Sequence, residues 1–144
     1  ARDNPASEIV TQEEPRATHG RSLDPSTKTL LTELRNRGLK LAILTRNSRY
    51  VVENVLGRSN IRGIIIVGRE DVEVLKPDPE GLNKIIAGIG VFPKEVVVIG
   101  DTYHDVHVAK SVGARAVVVS NPMLQYSPEG ADIYLEKITD MIKQ

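Results

Sequence analysis

The chain contains no cysteine and no tryptophan, and its aromatic side chains are limited to one phenylalanine and four tyrosines. The absence of cysteine excludes disulfides, thiol catalysis and thiolate metal sites, and it fits a cytoplasmic protein. With so few aromatic residues, a core has to be built from isoleucine, valine and leucine. A chain of 144 residues is long enough to bury such a core as one domain.

An excess of charge of one sign is also absent, because 19 lysines and arginines balance 19 aspartates and glutamates. This balance gives no general attraction to nucleic acids or membrane surfaces, so we expect neither as a partner. No apolar run approaches the roughly 20 residues of a membrane span, and no signal peptide is recognisable.

Short apolar runs alternate with segments that have the apolar spacing of helices. Four runs, mainly of isoleucine, valine and leucine, are predicted as buried strands: 39–44, 64–67, 96–99 and 116–119. Four segments are predicted as helices: 25–37, 48–56, 79–88 and 104–112. A weak edge strand at 133–135 and a closing helix at 138–143 complete the pattern. We therefore predict an α/β fold, a three-layer Rossmann-like parallel sheet with helices on both faces.

Residues 1–22 do not share this pattern. They are polar, they include Pro5, Pro15 and Gly20, and Ile9 and Val10 are their only aliphatic pair. We interpret them as a polar N-terminal segment, a loop or frayed helix rather than a core strand. Residues 23–144 are predicted to form the core domain.

Two carboxylates follow the run 96–99, in the sequence V-V-V-I-G-D-T-Y-H-D. Asp101 and Asp105 are four residues apart, where a buried strand ends and a helix begins. Charge in such a place is unfavourable unless something positive shares the site. A hard cation such as Mg²⁺ beside a phosphate-bearing ligand fits best. The simpler alternative is that Asp101 caps the helix and Asp105 is exposed.

Polar residues also follow the other predicted strands. Ligands of open α/β sheets bind beyond the carboxyl ends of the strands, so these residues are candidates for one shared site. Together they supply a hydroxyl, amides, an ammonium group and two acids, a set that suits phosphoryl transfer. Taken singly they are weak signals, because a threonine here can be a helix cap and a lysine can be solvated. The candidates are Thr45, Arg46, Asn47, Lys76, Asp101 and Asp105.

The order of these motifs resembles the haloacid dehalogenase superfamily of Mg²⁺-dependent phosphatases, particularly its phosphoglycolate-phosphatase-like members. L-A-I-L-T ends at Thr45, L-K-P-D-P contains Lys76, and G-D-T-Y-H-D runs from Gly100 to Asp105. A-K-S-V-G-A-R-A-V-V-V, residues 109–119, adds to the likeness. The resemblance extends from about residue 25 to the C-terminus.

The resemblance implies a role for each matched residue. Thr45 would donate a hydrogen bond to the transferring phosphoryl group, and Lys76 would neutralise charge there. Asp101 would ligate Mg²⁺, and Asp105 would ligate the metal or orient its waters. Apart from the resemblance, Arg46 and Asn47 are candidates to contact a bound phosphate because they follow Thr45, although Arg46 could equally pair with a surface acid.

One family motif has no match, namely the D-x-D-x-T/V that supplies the nucleophile after an apolar strand. Asp3, Glu13, Glu14 and Asp24 all lack the expected context. The favoured explanation is that this central strand lies upstream and that residues 1–22 end a lost cap domain. The alternatives are that residues 9–11 fill the vacant strand position, or that the chain is a non-catalytic homologue.

The sequence thus predicts a Mg²⁺-dependent phosphomonoester hydrolase that acts on a small phosphorylated metabolite, with its nucleophile outside the chain. The alternative is a non-catalytic module that binds phosphate and Mg²⁺ or another protein. A sheet without its central strand would leave backbone groups unpaired. On that ground we expect the isolated chain to be inactive, of low stability and prone to self-association.

Overall fold

The computed structural model describes residues 8–11, 25–124 and 126–143. In these ranges strands and helices alternate along the chain, as the sequence pattern predicts. The strands are β1 (Glu8–Thr11), β2 (Lys40–Leu44), β3 (Ile65–Val67), β4 (Val96–Gly100), β5 (Arg115–Val119) and β6 (Ile133–Leu135). The α-helices are α1 (Pro25–Asn36), α2 (Arg49–Arg58), α3 (Glu80–Ile89) and α4 (Tyr103–Val112), and 3₁₀ helices form at Arg69–Asp71, Pro93–Glu95 and Ile138–Lys143.

The described strands form one parallel sheet in the order β3-β2-β1-β4-β5-β6. The first described strand, β1, lies in the centre; the sheet extends outward from it through β2 and β3, and the chain then crosses back to β4. Successive residues of the inner strands face opposite sides, and two apolar clusters result. Ala42, Leu44 and Val98 pack with α3 and α4, whereas Ile43 and Ile99 pack with α1 and α2. The predicted α/β fold with helices on both faces is confirmed.

The interpretation of the N-terminal segment was wrong for residues 8–11. These residues form β1, which pairs with β2 on one side and β4 on the other and so fills the central position. The sheet is therefore not missing its middle strand. The alternative in which residues 9–11 occupy that position is the one the structure supports. The unpaired backbone groups from which we expected low stability and self-association are absent among the described strands.

The closing segment is helical over the predicted residues 138–143. Ile138–Lys143 forms a 3₁₀ helix rather than an α-helix. Ile138 and Met141 pack against the apolar cluster that contains α1. The segment therefore covers one end of the sheet without the length of a regular helix.

The strand register fixes which residues meet at the carboxyl edge. Thr11 of β1 lies opposite Ile43 of β2 and also opposite Ile99 of β4. Thr45 follows Ile43 by two residues, and Asp101 follows Ile99 by two residues. Since adjacent strands lie about 4.8 Å apart, Thr45 and Asp101 stand level at the edge, roughly 10 Å apart with one strand position between them.

Candidate phosphate and metal site

Thr45 is buried directly beyond β2, in the position predicted for a phosphate-binding hydroxyl. Its backbone N–H donates to the carbonyl of Val67, and its Oγ1 accepts a hydrogen bond of 3.0 Å from the backbone N–H of Asn47. Because the oxygen is the acceptor in this bond, the hydroxyl keeps its own proton for donation to another group. The contact holds Thr45 and Asn47 in a tight turn, and Arg46 between them is exposed.

Lys76 is buried and forms an ion pair with Asp105. Its Nζ lies 2.9 Å from Asp105 Oδ1, and both side chains are at most 3% exposed. A charge in such surroundings is tolerated only when a counter-charge meets it. Lys76 is therefore a placed ammonium group and not the solvated lysine of the simpler alternative.

Asp105 uses its second oxygen as well. Oδ2 accepts hydrogen bonds from the backbone N–H groups of Asp101 and Thr102 and from Thr102 Oγ1, at 3.0 to 3.1 Å. Asp105 thus joins the first turn of α4 to the end of β4 and is not the exposed acid of the simpler alternative. A Cβ placed on Gly100 would come within 2.3 Å of the Asp105 carboxyl carbon, so the strand has to end in glycine here.

Asp101 is only partly buried, and its Oδ2 accepts a hydrogen bond of 2.7 Å from Asn121 Nδ2. The orientation of the Asn121 amide is fixed, because its Oδ1 accepts from the backbone N–H of Met123 at 2.9 Å. Asn121 was not among the residues predicted from the sequence. It follows the end of β5 by two residues, so extending the inspection of strand ends to the fourth run would have found it.

A second missed residue is Glu70, in the 3₁₀ helix after β3. Its carboxylate accepts hydrogen bonds from Ser48 Oγ at 2.5 Å and from the backbone N–H of Arg49 at 2.9 Å. The Arg49 and Ser48 bonds lower the pKa of Glu70 to about 2. The Arg69 backbone N–H also donates to the carbonyl of Asn47. The segment after β3 therefore braces the turn that carries Thr45 and Asn47.

Positive charge is concentrated on this part of the edge. Burial is the main cause that lowers the pKa of His104, and the charges of Arg46 and Lys76 lower it further. The negative charge of Asp105 opposes the shift. The exposed guanidinium of Arg46 therefore adds to the positive potential that Lys76 creates around the edge.

The residues present fit a magnesium ion held largely by water and phosphate. Among the described residues, no group of three or more histidines or acids forms a ready ligand set. Mg²⁺ in phosphate sites is often bound through only one or two carboxylates, with waters and phosphate oxygens completing its shell. Asp101 fits such a ligand because it is partly exposed at the strand end. Asp105 fits a supporting role because both of its oxygens already have partners.

The candidate nucleophiles lie outside the described residues. Asp3, Glu13, Glu14 and Asp24 fall in the ranges 1–7 and 12–24. The structure thus brings Thr45, Lys76, Asp101 and Asp105 to one edge of the sheet. It gives no position for an attacking group from the segment after β1.

A parallel α/β sheet with a hydroxyl, a buried lysine and an aspartate at its carboxyl edge is an arrangement suited to a ligand that carries phosphate. The profile of the family described as haloacid dehalogenase-like hydrolase matches residues 8–119. The chain belongs to this family. Within the described residues, no helix combines the length and the apolar character needed to cross a membrane.

Individual relatives agree with this assignment. The chain is similar to pyrophosphatase PpaX of Bacillus cereus, with 31% identity in an alignment that covers 76% of this chain and 53% of that protein. The PpaX protein of Bacillus velezensis is 32% identical over 78% of this chain and 54% of its own length. A phosphatase structure from Thermococcus onnurineus aligns with a TM-score of 0.74 and 30% identity, covering 84% of this chain and 57% of that one. The chain thus spans about half the length of the curated relatives it matches.

Proposed function

We propose that this site serves the Mg²⁺-dependent hydrolysis of a small phosphomonoester. The observation that carries the proposal is the buried Lys76 ammonium beside Asp105 at the edge where Thr45 and Asp101 stand level. A phosphate group between Thr45 and Asp101 would meet a hydroxyl donor, a positive charge and a metal-binding carboxylate. These are the elements that phosphoryl transfer requires, because positioning and charge neutralisation provide most of its catalysis.

Each residue has a definite task in this reaction. The Thr45 hydroxyl donates a hydrogen bond to a phosphate oxygen, and the turn held by Asn47 keeps this hydroxyl in place. Lys76 offsets the negative charge of the phosphoryl group, and Asp105 keeps Lys76 charged and fixed. A Mg²⁺ ion at Asp101 would supply further charge neutralisation.

The nucleophile is sought in the segment after β1. Counting along the sequence, Glu13 follows Thr11 by two residues, just as Thr45 follows Ile43 and Asp101 follows Ile99. Glu13 lies outside the described residues, and the count along the sequence makes it the first residue to test as the nucleophile. The family motif has aspartate as its nucleophile, and a glutamate carboxylate would reach one methylene further.

A second candidate function is binding of phosphate and Mg²⁺ without catalysis. It is favoured because both acids on the described edge already have partners: Asp105 is paired with Lys76, and Asp101 accepts a hydrogen bond from Asn121. A module of this kind would keep Thr45, Lys76 and Asp101 as ligands for a phosphorylated metabolite.

Hydrolysis of p-nitrophenyl phosphate with and without MgCl₂ separates the two. We expect Mg²⁺-dependent release of p-nitrophenol that is lost in Asp101→Asn and in Glu13→Gln. The matched control is Glu33→Gln, since Glu33 lies near the end of α1, which leads into the opposite edge of the sheet at the start of β2, and it should keep full activity. A folded chain that binds Mg²⁺ and inorganic phosphate by calorimetry but releases no product would favour the binding module. Failure to bind either would refute both functions.

A further inference from the structure

A cleft of about 380 Å³ opens beside Asp101, on the side of the sheet away from Thr45. It is bordered by the ends of β5 and β6 and by residues 120–122, 124 and 126–128. Its volume lies in the range of roughly 300–1,000 Å³ that small-molecule pockets occupy. Because Asp101 lines this cleft, a ligand in it would lie next to a phosphate group held at the strand ends.

The walls of the cleft are held by hydrogen bonds. Asn121 links the loop backbone at Met123 to the Asp101 carboxylate. The Tyr134 hydroxyl donates to the carbonyl of Pro128 at 2.7 Å and accepts from the backbone N–H of Ala131 at 3.3 Å. Since its hydroxyl is engaged in this way, Tyr134 contributes mainly ring surface to the lining.

Apolar surface and negative charge are combined in this lining. Leu124, Tyr126 and Tyr134 supply apolar surface, and Glu136 supplies a carboxylate in addition to Asp101, whose own charge a bound Mg²⁺ would offset. Among the described residues that line the cleft there is no lysine, arginine or histidine. Positive charge lies on the other side of Asp101, at Lys76. The edge is therefore divided into a cationic part and an anionic part.

We propose that the cleft is the subsite for the leaving-group alcohol of the substrate, and that it selects uncharged or cationic groups with apolar surface over anionic ones. This inference rests on the proposed function, because Asp101 joins the two parts of the site. The substrate class is thus a phosphate ester of an uncharged or cationic alcohol that carries a ring or other apolar surface. Pyrophosphate, whose leaving group is itself a phosphate, is disfavoured.

Phosphonates test the subsite without hydrolysis. In the presence of MgCl₂, calorimetry would compare inorganic phosphate, benzylphosphonate and 4-carboxybenzylphosphonate as ligands. We expect benzylphosphonate to bind at least about fivefold more tightly than phosphate, because its ring is removed from water. We expect the carboxylated compound to bind about tenfold more weakly than benzylphosphonate, because its charge meets the carboxylate of Glu136.

Two substitutions that reverse a charge test whether the preference for the uncharged ring arises at Glu136. Glu136→Lys should abolish or invert the preference for benzylphosphonate over its carboxylated analogue. Glu53→Lys makes the same change of charge at an exposed residue of α2, which packs on the β3 side of the sheet and away from β5 and β6, so it should leave the preference intact. Both positions are exposed, and neither substitution disturbs the core.

The outcomes separate the subsite from the proposed function. Equal affinity for the two phosphonates, or an equal effect of both charge reversals, would overturn the subsite. If phosphate and both phosphonates fail to bind, both ideas fall. If phosphate does not bind but benzylphosphonate still shifts the amide resonances of residues 120–136 and the carboxylated compound does not, the proposed function falls and the cleft's preference stands.

Discussion

The Lys76 ammonium lies 2.9 Å from Asp105 Oδ1, and this buried pair connects the segment after β3 to the first turn of α4. Each partner satisfies a charge that would otherwise be stranded in the interior. Asp105 also accepts three hydrogen bonds from Asp101 and Thr102. Stability and site geometry therefore depend on the same carboxylate.

Asp105→Asn should be strongly destabilising for this reason. Removing one partner of a buried ion pair leaves the other charge unpaired, which typically costs about 3–5 kcal/mol. Urea denaturation followed by circular dichroism would measure the loss. Glu33→Gln breaks the exposed Glu33–Arg37 pair and should change stability by less than about 0.5 kcal/mol. Similar losses in the two variants would contradict the structural role assigned to Asp105.

Gly100→Ala tests the close approach between β4 and Asp105. The added methyl group would overlap the carboxyl group of Asp105, so we expect a loss of roughly 1–3 kcal/mol, as for other overpacked positions. Gly57 offers a matched control, since a Cβ there meets nothing within 4 Å. Gly57→Ala lies within α2 and should raise stability by about 0.5–1 kcal/mol. Thermal melts of both variants would show shifts of opposite sign, and a shift in the same direction would argue against the contact.

The strand ends were the most predictable part of this protein. An apolar run followed by Thr45 or by Asp101 marks both the strand and the place where it ends, because a parallel sheet buries its strands on both faces. The burial of Lys76 could be expected only from the order of the motifs, since a lysine by itself carries no such signal.

The central strand β1 was predicted only as an alternative, because its four residues include Glu8 and Thr11 beside a single aliphatic pair. It gains hydrogen bonds from β2 and β4 on both sides, and such long-range pairing can override a weak local preference. Asn121 was missed for a different reason. Its place after β5 could be read from the sequence, but its contacts with Asp101 and Met123 depend on how the loop after β5 folds back, which a sequence pattern does not encode.

Asn121→Ala should weaken Mg²⁺ binding through Asp101. Partners that orient a metal ligand typically contribute about 10- to 100-fold in affinity. We therefore expect calorimetry to give a dissociation constant for Mg²⁺ that is about tenfold larger. Asp101→Asn should reduce binding much further, because the ligand itself is changed. Asn83→Ala, at an exposed position of α3, should bind Mg²⁺ as the unaltered chain does. An unchanged affinity in Asp101→Asn would show that the metal ligand has been assigned to the wrong residue.

Glu70→Gln should change how stability depends on pH. Hydrogen bonds from Arg49 and Ser48 lower the pKa of Glu70 from its ordinary value of 4.5 to about 2 in the folded protein. A carboxyl group with a lowered pKa contributes stability that is present above its unfolded value and is lost as the pH falls through the folded value. The unaltered chain should therefore be more stable than Glu70→Gln at neutral pH, and the difference should shrink between pH 4.5 and about 2.

Urea unfolding of the two proteins over this range of pH would measure that difference, and other acids that titrate there cancel in the comparison. Glu129→Gln serves as the control, because it removes an exposed carboxylate elsewhere on the chain. A constant difference from neutral pH down to pH 2 would mean that the Glu70 carboxylate does not exert its effect through charge.

The same variant also bears on the site, because Glu70 braces the turn at Ser48 and Arg49. Loosening that turn should weaken inorganic phosphate binding while Mg²⁺ binding at Asp101 stays the same.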